Sequence, residues 1–174
     1  MNQVLEALET RRSCRKYEDR QVDEALVEQI VEAGLWAASG MGQQATHLVV
    51  VQDPEDIATL SRMNAEIMGS KGDPFYGAPT VVVVLADPSR PTCVEDGSLV
   101  IGNLMIAAHA LGVASCWIHR AHEEFESEEG RALLAKWGVP GTWRGVGHCL
   151  LGYAAPGGEG AAPARKAGRV TYVR

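Results

Sequence analysis

The sequence predicts a single domain, residues 1–174, in which helices pack over the faces of a central sheet. Three observations predict it. Short, continuous apolar runs alternate with longer segments whose apolar residues recur at helical spacing, so strands and helices interleave. A chain of 174 residues with 46% apolar composition is long enough to bury a core and short enough for one domain. Residues 98–118 contain no Asp, Glu, Lys or Arg. Roughly 20 such residues can span a bilayer, but Asn103 and His109 interrupt the run and Gly112 stops it. The stretch therefore reads as a helix over about 97–111, capped by Asp96 or Ser98, followed by a strand over 113–118. A helix that is apolar on nearly every face must be covered on every face. So small a chain has little interior for that, and a partner subunit is expected to cover one side.

In chain order, Val4, Leu5, Ala7 and Leu8 predict a short amphipathic helix ending at Thr10. Four cations follow around one hydroxyl, in Arg11-Arg12-Ser13-Cys14-Arg15-Lys16-Tyr17; a helix C-terminus favours one or two cations, not four. Asp23 caps a helix running to about Trp36, with Val22 and Val27 as a hydrophobic staple. It gives way to Ala38-Ser39-Gly40-Met41-Gly42-Gln43-Gln44, a loop whose backbone can approach a flat ligand or simply connect elements. Residues 47–52 are a buried strand. Asp53-Pro54 opens a helix to about Met68, and 69–79 is a loop with Phe75 and Tyr76. The Val run within 80–86 is a strand buried on both faces, in a central position. After the buried helix and its strand, Ser127 to Trp137 is a helix stopped by Gly138, and 146–153 is a further strand. Residues 154–168, rich in Gly, Ala and Pro, form an extended arm carrying Arg165 and Lys166. A short strand over 170–173 at its tip is suited to a neighbour's sheet edge.

The net charge of −6 excludes a non-specific nucleic-acid binder. The amphipathic start lacks the basic region and apolar core of a secretory signal, so the expected location is the cytoplasm, with no membrane partner. Cys14, Cys93, Cys116 and Cys149 are scattered and read as buried thiols. No phosphate loop and no dinucleotide fingerprint occurs. Cys116, His119 and His122 resemble a ligand run, but in an extended segment Cys116 and His119 face opposite ways, which disfavours zinc. Cys14 lies among cations that would lower its pKa, without a partner base. His109 reads as a hydrogen-bonded core residue. What remains is an anion site without a phosphate loop. Arg11, Arg12, Ser13 and Arg15, with Arg165 and Lys166 from the other end of the chain, suit a phosphate ester. Arg15 could instead face a ring that gains negative charge on reduction, as a flavin does.

These residues resemble the FMN-dependent nitroreductase family. Residues 11–17 match its opening R-R-S-x-R-x-[FY]. Residues 38–44 match its second loop, usually P-S-x-x-N-x-Q-P-W. Asp96 through Asn103 to Gly112 and Trp117 resemble its D…N-L…A-A…L-G…W-I segment, and Leu151-Gly152-Tyr153 with the basic tail resembles its close. The departures are Gly42 in place of Asn, Ala45-Thr46 in place of Pro-Trp, and Ser70 and Lys71 in the loop where many members place an Asn against FMN. The resemblance implies an α+β fold, a mixed central sheet flanked by helices, and an intertwined homodimer whose arms embrace the opposite subunit. It implies that Arg11, Arg12 and Ser13 hold the phosphate and ribityl chain, that Arg15 lies near the pyrimidine edge, and that Arg165 and Lys166, or Arg169, close on the phosphate. Ser39, Gly40 and Met41 would come from the other subunit and touch the ring, and Gln44 is expected among the cofactor contacts. Lys71 joins the expected cofactor contacts, and a backbone N–H near Trp117, Ile118 and His119 would face flavin N5.

The implied activity is ping-pong transfer of hydride from NAD(P)H through FMN to a nitroaromatic, quinone or similar small-molecule acceptor, with no protein side chain as the chemical catalyst. The alternatives are a specialised relative acting on the flavin itself or on a halogenated phenol, and a flavin-binding dimer without turnover.

Overall fold

The computed structural model describes residues 2–174. The chain forms α1 (Gln3–Thr10), α2 (Glu24–Leu35), β1 (Thr46–Val51), α3 (Pro54–Met68), β2 (Thr80–Ala86), α4 (Cys93–Ala110), β3 (Ala114–Ile118), α5 (Ala121–Glu126), α6 (Glu128–Lys136) and β4 (Arg144–Gly152), with a 3-10 turn at Gly40–Gly42. The strands lie in the order β1-β2-β4-β3.

Helices cover both faces of this sheet, and strand β2 shows why. All seven of its residues are buried, and alternate residues enter separate cores, as the period of two along a strand requires. Val81, Val83 and Leu85 join a core with residues of α3, α5 and α6, including Leu60, Phe125 and Leu133. Val82, Val84 and Ala86 join a second core with Ile30 of α2 and Val100 and Leu104 of α4. The unbroken Val run thus marks a central strand sandwiched by helices, although its neighbours are antiparallel. The named strands pair antiparallel throughout. The parallel component is one bridge, Ser13 with Ser115, at the outer edge of β3.

Several expected boundaries move. Helix α4 begins at Cys93, a turn before Gly97, with Thr92 at its N-cap. Asp96 is not the cap: its buried carboxylate accepts the Gly40 N–H at 2.9 Å and the Thr92 hydroxyl at 3.2 Å. Leu99 remains half exposed, so one face of α4 is left for a further layer. Helix α5 is absent from the sequence expectation because only Ala121 and Phe125 supply apolar burial; its third buried residue is Glu124. It can sit on β4 because Gly145 lacks a side chain, and a Cβ there would meet the Ala121 carbonyl at 2.0 Å. Residues 170–173 are exposed and form no strand. A strand needs a hydrogen-bonding edge, and among the described residues no backbone bond joins this tip of the arm to the rest of the chain.

Capping follows the side chains available. Asp53 accepts the Glu55 and Asp56 N–H groups at the start of α3, whereas Asp23 stands at the N-cap of α2 without a side-chain bond. Val22 and Val27 are both buried in the α2–α4 core. His109 is only partly buried, and its Nε2 lies 2.8 Å from the Thr10 hydroxyl, tying α4 to the end of α1.

Helix α3 is joined to α6 by Asp56, which accepts from Lys136 Nζ at 2.5 Å and Trp137 Nε1 at 2.8 Å. Those two bonds lower its pKa. A carboxylate with a depressed folded-state pKa contributes stability above its unfolded value, near pH 4, and loses it as pH falls toward the folded value. Asp56→Asn is therefore expected to lose less stability than the unsubstituted chain as pH falls below about 5, a comparison made by urea unfolding at each pH. Parallel curves would remove Asp56 from the acid response.

Candidate functional site

The cation-rich segment after α1 is pinned by its backbone. Cys14 N–H donates to the Ser115 carbonyl at 2.9 Å, and Arg15 N–H to the Gly158 carbonyl at 2.8 Å. The segment thus lies between the edge of β3 and the start of the C-terminal arm. Cys14 bridges Glu159 and Tyr17 bridges Ala154, both antiparallel. This pairing turns the arm back along the segment, so the two ends of the chain meet. The result is a cleft of about 740 Å³ lined by Arg11, Arg12, Ser13 and Arg15 on one side, Gly160 to Pro163 and Arg165 on the other, and Leu8 and Glu9 at its margin. That size lies within the range of small-molecule sites, about 300–1,000 Å³.

The electrostatics of the cleft are one-sided. Among the described residues, no carboxylate lies within ion-pairing distance of Arg11, Arg12, Arg15 or Arg165; the ion pairs of the chain are elsewhere. Arg12 is turned to the carbonyls of Glu9 and Arg11, and Arg165 to that of Pro163. Nη1 of Arg11 is buried without any hydrogen-bond partner. A desolvated cationic N–H without an acceptor is costly, and a turn of the Arg11 side chain, which lines the cleft, would bring it to an anion there. A phosphate monoester fits this set: several guanidinium donors without a carboxylate partner, and a hydroxyl from Ser13.

The thiol beside these cations is not activated. Burial raises the pKa of Cys14, and the backbone bond to Lys16 offsets only part of that. Burial likewise raises Cys116, although the nearby Arg15 and Arg11 guanidiniums oppose the rise. Cys149, fully buried, is pushed up to about 12. The expectation that surrounding cations would lower Cys14 fails because its Sγ points into the core, away from the charge. On β3, Cys116 is buried and His119 beyond it is exposed.

The remaining expected contacts, Trp117, Ile118 and His119 among them, do not line this cleft. Trp117, half exposed, and buried Ile118 close β3, with His119 exposed just after it. Arg15 follows the Ser13–Ser115 bridge by two residues and lies close enough to β3 for its guanidinium to act on Cys116. Ser39, Gly40, Met41 and Gln44 are not in the cleft. Their loop is held to α4 by Asp96, its turn is closed by the Gln44 N–H on Ser39 Oγ at 3.0 Å, and Met41 projects almost fully into solvent. Lys71 lines a different groove, between α3 and the 69–79 loop, which shares no residue with the cleft. Lys166 and Arg169 do not line the cleft either.

Gly158 holds the arm in place. A Cβ there would meet the Lys16 carbonyl at 2.4 Å and Cys14 Sγ at 3.0 Å. Gly158→Ala is expected to detach the arm while leaving the sheet intact. Tryptic cleavage after Arg165 and Lys166 should then become several-fold faster with the melting temperature little changed. An unchanged cleavage rate would mean that the arm is not held at this point.

The family model described as "Nitroreductase family" matches residues 8–153. A protein of Archaeoglobus fulgidus named "Putative NADH dehydrogenase/NAD(P)H nitroreductase" is 32% identical over 145 residues, 80% of this chain and 79% of its own. One of the same name from Methanothermobacter thermautotrophicus is 33% identical over 118 residues, a match spanning 66% of this chain and 59% of that relative's length. Among solved structures, a nitroreductase with bound FMN from Bacteroides fragilis superposes with a TM-score of 0.92 at 32% identity, covering 100% of both chains. A second nitroreductase with bound FMN, from Desulfitobacterium hafniense, superposes with a TM-score of 0.87 at 26% identity, again covering 100% of both.

Proposed function

Because this chain belongs to the nitroreductase family, we propose that it binds FMN in the arginine-lined cleft and acts as an NAD(P)H:acceptor oxidoreductase. The observation that carries the reading is the convergence of Arg11, Arg12, Arg15 and Arg165 in one cleft, without a carboxylate partner and with Nη1 of Arg11 unpaired. Bound FMN would supply the hydride-transfer chemistry, receiving reducing equivalents from NAD(P)H and yielding them in turn to a nitroaromatic, quinone or similar electron-poor acceptor.

The chain's own residues position and tune. Arg11, Arg12 and Ser13 hold the phosphate and ribityl chain by charge-assisted bonds, and Arg165 closes on the phosphate from the arm. Arg15, which lines the cleft two residues beyond Ser13, faces the pyrimidine edge, where a fixed cation favours the reduced, more negative ring. The backbone after β3 offers its N–H groups to the ring's reducible edge. A second copy of the chain completes the site. Ser39, Gly40, Met41 and Gln44 lie outside their own cleft with Met41 almost fully exposed, and α4 carries an uncovered apolar face at Leu99; both support a homodimer in which each loop serves the other subunit's flavin. The arm beyond residue 160, exposed along its length, reaches that subunit as part of the same domain. Among the described residues no helix is long and apolar enough to cross a membrane.

The test is an absorbance spectrum of the purified chain with and without added FMN, followed by anaerobic NADH or NADPH and then a nitroaromatic. Flavin that binds, bleaches with nicotinamide and recovers its absorbance with the acceptor is the expected result. Failure to retain added FMN would sink the reading; binding without bleaching would leave a flavoprotein with no nicotinamide activity.

A further inference from the structure

Behind β3 and β4 lies a polar cluster that the cofactor cleft does not use. Glu124 on α5, His148 on β4 and Asn64 on α3 are all fully buried. Glu124 Oε2 lies 2.6 Å from His148 Nε2, and Asn64 Nδ2 donates to Glu124 Oε1 at 2.5 Å. The rings of Phe75 and Phe125 lie against His148, so the cluster is enclosed by apolar surface. Buried polar groups of this kind are costly to a fold unless they hold something in place. What they hold is identified by one more bond: Asn64 Nδ2 also donates to the backbone carbonyl of His119 at 2.7 Å.

That carbonyl sits at a strained position. Arg120, the next residue, has φ 81 and ψ 5, the left-handed region that non-glycine residues rarely adopt. The His119–Arg120 peptide is trans, as are the others described. In a trans peptide the N–H points opposite to the C=O. With the His119 carbonyl drawn inward to Asn64, the Arg120 N–H is aimed out of the α3–α5 core. Among the described residues nothing accepts that N–H, and His119 beside it is exposed.

We propose that Asn64, Glu124 and His148 are positioning residues: they hold the His119 carbonyl inward and so present the Arg120 backbone N–H as the donor to the reducible edge of the bound flavin. The proposal rests on the flavin reading above and adds to it a device in the core. Glu124 orients the Asn64 amide, His148 orients Glu124, and the strained Arg120 backbone is held by the sum of their bonds. None of the three touches the ligand.

The experiment uses the full-length, isotope-labelled chain with FMN as the probe. In the unsubstituted protein, FMN is expected to move the Arg120 amide resonance. In Asn64→Leu, that resonance should already be displaced or broadened before flavin is added. FMN affinity should stay within about threefold, since the phosphate cleft is untouched, while flavin reduction by NADH slows roughly tenfold or more. Where Asn64→Leu does not fold, Asn64→Ser, too short to reach the His119 carbonyl, carries the same expectation. Glu124→Gln, which keeps an acceptor for Asn64, should retain the original Arg120 resonance. An Arg120 amide indifferent to loss of the Asn64 side chain, or unmoved by bound FMN, overturns the proposal. Absence of FMN binding to the unsubstituted chain overturns the flavin reading, and with it the assignment of the Arg120 N–H to a flavin.

Discussion

Replacing Arg11 by Met is expected to lower FMN affinity by about 10- to 150-fold, the loss that follows from removing a charge-assisted contact of about 1.5–3 kcal/mol. Stability without ligand should move the other way or not at all. Nη1 of Arg11 is buried with no partner, and Arg12 and Arg15 line the same cleft. Removing that guanidinium therefore relieves a desolvated donor and like-charge repulsion, while the methionine stem keeps most of the packing. A residue that holds the fold together would show the opposite pattern. Riboflavin, which lacks the phosphate, is the control: its affinity should change little in Arg11→Met. Equal losses for FMN and riboflavin would place Arg11 elsewhere than on the phosphate, and a large drop in unliganded melting temperature would make it a structural residue.

The second large effect concerns the core. His148→Leu removes the Nε2 partner of Glu124, leaving that fully buried side chain with Asn64 alone. A buried polar group left without its hydrogen-bond partner costs about 1–3 kcal/mol. At roughly 2–4 °C per kcal/mol for a chain of this length, the melting temperature should fall by roughly 2–12 °C. Replacing both residues by Leu should recover part of the loss, because no orphaned polar group then remains between them. Thermal melts of the two single variants and the double variant decide it. If the double loses as much as the two singles added together, the residues are not acting as a pair.

Both expectations depend on features that were legible in the chain to very different degrees. The Arg11–Lys16 cluster stood out because four cations around one hydroxyl exceed what a helix end requires. The central strand stood out because its Val run needs burial on both faces, and β2 has it. Helix α3 announced its own start in Asp53-Pro54. Periodicity, caps and local charge excess are properties of neighbouring residues, so they survive in the linear order. Helix α5 leaves no such trace for the same reason: a six-residue helix whose buried face includes a glutamate has no apolar period. The start of α4 was displaced because Asp96, which has the chemistry of a cap, is engaged by a loop more than fifty residues earlier.

The sequence by itself determined the alternation of helices and strands, the double-sided burial of β2, and the presence of too many cations at both ends for the fold alone to need. Only the tertiary structure decided that Arg165 rather than Lys166 joins Arg11, Arg12 and Arg15, that Lys71 lies in a separate groove, and that Cys14 is a buried core thiol. It alone brought Asn64, Glu124 and His148 together behind the His119 carbonyl. The physical reason is range. Local pattern reports which face of an element is apolar, whereas a pKa, an ion pair or a ligand cleft depends on which distant segment comes to lie against that element, and here that is set by the edge of β3 and the docking of the arm across it.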